Sequence, residues 1–289
     1  MKRKIVYRQE DFSPAKLPKA RGEQYRAYLK NEKLTFLYLS LLLLLFALPL
    51  LATLAFRGEY VRGLDLLLEK GEMTSAERNA SLFQEDFLFD LLFLLSYEIF
   101  FLGLSGVMQI FRNLAYDEGV LFWGDFKRGI KKNVGQMAFI AFSFSLLHFA
   151  LTTFLDLLPL YHSLYFQIGV GLFLALTLLL ANPLLLLYAS EVAAYENRIS
   201  DNLHNLFPLL GYGYLQSLLF ALAPLACYFL TLLGNSLWLY LAYLLLGLLA
   251  PYYLAGWHQT SLALFDKTLN RYYPEYERKG LYGKEKQPK

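Results

Sequence analysis

The chain has 289 residues, 56% of them hydrophobic and only 18% charged, with a formal net charge of +3. A charged fraction below the ~25% of an ordinary soluble domain, with so small a net charge, argues against a nucleic-acid binder and for a protein of the bilayer. Its single cysteine, Cys227, excludes an internal disulfide and a multi-cysteine metal site.

Residues 1–33 hold ten Lys and Arg and read as a basic cytoplasmic segment. Next comes the first of six stretches long enough to cross a ~30 Å hydrocarbon core at about 1.5 Å per residue. They are 34–56, 87–110, 134–157, 164–188, 209–233 and 236–257, with a tail at 258–289. The first is too long, and stands behind too long a polar segment, to be a signal peptide. None alternates as a membrane β-strand would. The expected fold is therefore all-α, a polytopic bundle of six transmembrane helices.

Between the first two spans, 57–86 reads as an outer loop with four Lys and Arg against seven acidic residues. With the N-terminus inside, the cytoplasmic parts hold 23 Lys and Arg against those four. The positive-inside rule then places both termini in the cytoplasm of a multi-pass cell-membrane protein. Trp238 and Trp257 lie 19 residues apart, about 29 Å of helix, and bracket the sixth span as interfacial anchors. The fifth and sixth spans meet in a tight hairpin turn at Gly234-Asn235.

In the second span, Glu98 is a charge near mid-membrane, costing about 2.5–3.5 kcal/mol on insertion scales. His148, near the middle of the third span, is its expected partner. Two readings stand for the Glu98–His148 pair: a proton- or substrate-linked cavity, or an interhelical hydrogen bond to a neutral carboxyl. Gly103, Ser105 and Gly106 supply a small-residue face for close helix packing. Asn182-Pro183 and Pro224 can interrupt the fourth and fifth spans.

The connection 111–133 carries apolar Phe122, Trp123 and Phe126, then basic Lys127, Arg128, Lys131 and Lys132, and ends at Asn133. It reads either as a short amphipathic elbow touching lipid or a partner, or as a basic loop that only fixes topology. A second elbow follows the fourth span. Ala115-Tyr116-Asp117-Glu118 resembles Ala194-Tyr195-Glu196-Asn197, and Gln136 and Gln216 follow the two tyrosines by 20 and 21 residues. The order is that of a parallel internal repeat, or of chance identity at a few positions.

The run 122–137, Phe-Trp-Gly-Asp-Phe-Lys-Arg-Gly-Ile-Lys-Lys-Asn-Val-Gly-Gln-Met, resembles the hallmark elbow of the YesL family of bacterial membrane proteins. Residues 195–219 fit that family's second elbow more loosely. The resemblance implies an accessory component of a carbohydrate-uptake or envelope complex, with ABC-type importer subunits as partners. Glu191-Val-Ala-Ala through Phe207-Pro208 is also loosely similar to the loop by which importer permeases contact their ATPases, without its central glycine. The alternative is a transporter or permease subunit with a cavity near Glu98.

The chain has no Gly-rich phosphate loop ending in Gly-Lys-Ser/Thr, no His-Glu-x-x-His and no Gly-x-Ser-x-Gly. Its four histidines are scattered in depth. No catalytic residue, metal or cofactor is expected.

Overall fold

The computed structural model describes residues 18–158, 163–231, 236–273, 276 and 278–281; side chains at 178, 182, 223–231, 236–240, 242 and 243 are outside that description, so those of Asn182, Pro224, Cys227 and Trp238 are too, as is the Gly234-Asn235 turn. The described fold is all-α: α1 Arg21–Asn31, α2 Lys33–Glu69, α3 Ser75–Ala115, α4 Phe122–Leu157, α5 Leu164–Leu176, α6 Asn182–Ala194, α7 Ile199–Thr231 and α8 Ser236–Lys267. Among the described residues four helical stretches are long and apolar enough to cross a membrane: α2, α3, α4, and α5 continued through α6.

Their side-chain distribution is that of a helix solvated by lipid. On α2 the buried positions include Ser40 and Thr53, while Leu37, Leu41, Leu45 and Leu48 point outward. Phe36, Leu39 and Leu43 are buried as well, but a helix packed in water would not leave so many leucines on its outer face. Polar groups face inward here because hydrocarbon offers them no partner, and they find one across the bundle. Thr53 and Ser96 share a buried hydroxyl contact of 3.1 Å, and Ser40 Oγ donates to the carbonyl of Leu248 at 2.8 Å.

Helices α2 and α3 have 37 and 41 residues, about 55 and 61 Å, so both reach well past a ~30 Å core. Most of the expected outer loop 57–86 is therefore helix, reduced to a turn at 70–74. Its residues are charged yet helix-forming, and cross-helix pairs hold the extension together. Arg57 meets Asp86 through two hydrogen bonds of 2.6 and 2.7 Å, and Arg78 Nε lies 2.6 Å from Asp65. Helix α3 opens with a complete capping box, Thr74 Oγ1 accepting from the Glu77 amide while Glu77 accepts from the Thr74 amide.

The interruption expected at Asn182-Pro183 is a π-helical turn, Thr177–Ala181, immediately before α6. Pro183 lacks the amide that would continue the α-helical ladder, and the turn re-registers the hydrogen bonds ahead of it. Helix α7 bends at Gly213, whose backbone leaves the helical region (φ −125°, ψ 19°). Leu264 of α8 packs there so closely that a Cβ on Gly213 would lie 2.5 Å from its Cδ2. Trp257 is not the interfacial anchor expected: it is 1% exposed, its Nε1 donates to the carbonyl of Leu186, and its ring lies 5.1 Å from Phe220.

Candidate functional site at the elbow end

One end of the bundle gathers α1, the start of α4, the junction of α6 with α7, and the segment following α8. The first elbow forms the opening turns of α4 rather than a separate helix. Asp125 caps this start by accepting from the Leu121 amide at 2.7 Å. Asp125, Phe126, Gly129 and Asn133 are buried along one stripe that packs on α3. A Cβ on Gly106 would lie 2.4 Å from the Phe126 ring, and Ser105 Oγ donates to the carbonyl of Gly129 at 2.7 Å. Phe126 and Asn133 thus face the protein interior, not lipid or a partner. The opposite face carries Trp123, 61% exposed, with Lys127, Arg128 and Lys131. Arg128 keeps a long contact of 3.5 Å with Asp125.

Lys132 turns sideways to the second elbow, its Nζ 2.6 Å from Glu196. That hydrogen bond and the lysine's charge hold the Glu196 carboxyl below the ordinary carboxylate range. Gln136 extends the junction: its Nε2 donates to the carbonyl of Asn197, and its Oε1 accepts from Asn202, both at 2.6 Å. Behind it lies Glu191, 0% exposed, accepting from Asn205 Nδ2 at 2.6 Å. Tyr116 and Tyr195, the pair on which the repeat was read, both follow the last residue of a helix and both are buried.

The N- and C-terminal parts close over this junction. Arg21, 5% exposed, bonds Asp266 through Nε at 3.0 Å and uses Nη1 for Gln24 and for the carbonyls of Ala115 and Lys279. Tyr195 donates to Asn270 Oδ1 at 2.5 Å, and Asn270 donates in turn to Asp266. The Tyr116 ring is flanked by Arg112 and Lys279, at 5.2 and 4.7 Å from its centroid. Burial pushes the Tyr116 hydroxyl up to about 12 despite the charges of Arg112 and Arg21, and raises Tyr195 as well. Gly280 has φ +80°, and a Cβ there would lie 2.1 Å from the Ala115 carbonyl oxygen, so only glycine fits this closure.

A second polar group lies toward the other end. His148 Nε2 lies 3.9 Å from Asp90, and its ring packs on Phe93 and Tyr97 at 4.4 and 5.9 Å. Thr152 donates to Asp90, and the Arg57–Asp86 pair completes the group. The expected Glu98–His148 pairing is absent among the described residues, where Glu98 has no hydrogen bond or ion pair. Among those residues no set of three or more His, Cys, Asp or Glu side chains is placed to hold a metal ion.

Fold and site together define an all-α protein whose long apolar helices suit a membrane and whose charged elbows are clasped at one end. Comparison with known protein families, curated proteins and solved structures returns no match.

Proposed function

We propose that the chain is a six-span, YesL-like protein of a bacterial cell membrane, with both termini and the elbow end in the cytoplasm. It acts without catalysis, as an accessory component of a carbohydrate-uptake or envelope complex. Helices α7 and α8, of 33 and 32 residues, supply the fifth and sixth spans. The excess of basic residues on the elbow side orients it, and the matching buried tyrosines of the two elbows favour a parallel repeat. The observation that carries the functional reading is the exposed face of Trp123, Lys127, Arg128 and Lys131 on a helix whose other face is fixed to α3. A preformed cationic surface with one large aromatic suits an acidic protein partner, such as an ABC-type importer subunit, because little ordering is lost on docking.

Affinity purification of the tagged chain in mild detergent, followed by mass spectrometry, tests this. Importer permeases or ATPases should be enriched over an unrelated six-span control, and the enrichment should be lost in Lys127→Glu/Arg128→Glu/Lys131→Glu. Capture of no such partner, or equal capture by the variant, would contradict the docking role.

A second reading, a transporter subunit, is favoured by the π-helical turn before Asn182-Pro183 and by the polar group around Asp90 and His148. A transported substrate at a hundred times its Kd would add about 2.7 kcal/mol of stability. A sugar and ion panel that leaves the melting temperature unmoved would set this reading aside.

A further inference from the structure

At the elbow end, between α1, α7 and α8, lies a cleft of about 260 Å³. Arg21, Tyr212, Gln216, Gln259, Thr260 and Lys267 are among the residues that line it. Two of them are at least nine-tenths buried and have hydrogen-bonding capacity left over. Arg21, committed through Nε and Nη1, has no partner at Nη2; Gln259, 4% exposed, has none at Oε1. Both atoms are closed to solvent, so these two residues bear on the cleft through the charge that Arg21 lends it rather than by direct contact. At the rim, Lys267 and Gln216 are exposed and make no hydrogen bond or ion pair among the described residues.

The charges select the ligand. Asp266 neutralises one of the two cations, leaving the surroundings of the cleft with roughly one positive charge, which matches a phosphodiester monoanion. Lys267 and Gln216, exposed at the rim, are donors for phosphate oxygens. Position selects the source. The lining residues straddle the ends of the fifth and sixth spans, and exposed Tyr212, Leu215 and Leu219 continue from the cleft along one face of α7. This is a headgroup site with an acyl track leading away from it, at the depth where basic pockets between helices hold anionic lipids.

We infer that this cleft binds the headgroup of an anionic phospholipid of the phosphatidylglycerol type, an inference that rests on the membrane orientation proposed above. The test is thermal unfolding of the purified full chain in detergent, titrated with dioleoylphosphatidylglycerol, dioleoylphosphatidylcholine or inorganic phosphate. Phosphatidylglycerol should raise the melting temperature saturably and phosphatidylcholine should not. Lys267→Gln/Gln216→Ala should melt like wild type without lipid, yet need about five-fold more phosphatidylglycerol or above for half the shift. Equal shifts with both lipids, or equal titrations of variant and wild type, would overturn the site. A full shift from inorganic phosphate alone, with nothing added by phosphatidylglycerol, would overturn the lipid as its occupant. Lys267→Cys labelled from outside intact cells would overturn the orientation while leaving the titration readable, so the two failures are separable.

Discussion

Gly129 shows how little room the elbow leaves. A Cβ there would stand 2.5 Å from Gln109 Cβ and 2.8 Å from the Ser105 carbonyl oxygen, a backbone atom that cannot step aside. Gly129→Ala should therefore cost about 1–3 kcal/mol by overpacking. Gly124→Ala, whose Cβ would meet only Leu121 Cβ at 3.7 Å, should cost nothing measurable. Denaturation of both variants in one detergent checks the contrast. Glu196 offers a pH readout. Its folded carboxyl titrates below the ordinary 4.5, so its contribution is present above that value and lost as pH falls through the folded one. With the Glu196 side chain 75% exposed, the pair contributes under ~1 kcal/mol after solvent screening. The melting temperature of wild type should exceed that of Glu196→Gln by a small margin that is constant well above the ordinary carboxylate range and closes as pH falls through the lowered folded value. A margin that does not change with pH would mean that Lys132 is no partner. At this scale residue types were legible from sequence while facing directions were not. Depth alone set Glu98 opposite His148. The face of α3 that meets α4 carries Asp90, Phe93 and Tyr97, and Glu98 is one helical step beyond it. The same blindness to rotation put Phe126 on lipid and Trp257 at an interface.

Among elements, hydropathy located the apolar part of the four membrane-length stretches but not the ends of their helices. Helix α2 runs on to Glu69 and α3 begins at Ser75, because charged residues can continue a helix once a neighbour pairs them. The Arg57–Asp86 pair that fixes this extension was invisible to sequence reading: its members are 29 positions apart, and both lay in a supposed loop. Arg57→Leu leaves a buried carboxylate unpaired and should cost roughly 2 kcal/mol, below the ~3–5 of a fully buried pair because Arg57 is 30% exposed. Arg57→Leu/Asp86→Asn should recover most of that loss. A double-mutant cycle by unfolding in detergent measures the coupling, and strict additivity would mean the two side chains do not interact. The π-helical turn before α6 belongs with what was legible, since the Asn-Pro pair announces a break in the ladder. Helix α1 was not: eleven mostly polar residues inside a basic segment carry no apolar periodicity. It is held by specific bonds from Arg21 and Gln24 to carbonyls at the end of α3 and in the C-terminal segment.

For the whole molecule, the clasp makes one unit of segments far apart in sequence. Arg21, Ala115, Asp266 and Lys279 meet in one set of hydrogen bonds, and Lys132, Gln136, Glu196 and Asn202 in another. The exposed basic face and the α1–α7–α8 cleft both belong to this end, so a single orientation decides whether either meets cytoplasmic partners and inner-leaflet lipid. That orientation is read most directly by substituted-cysteine labelling in intact cells, in a Cys227→Ser background. Glu72→Cys, in the turn between α2 and α3, should react with a membrane-impermeant maleimide added outside. Lys127→Cys and Arg198→Cys, in the two elbows, should react only after permeabilisation. Labelling of either elbow from outside, or of all three positions on the same side, would contradict the account.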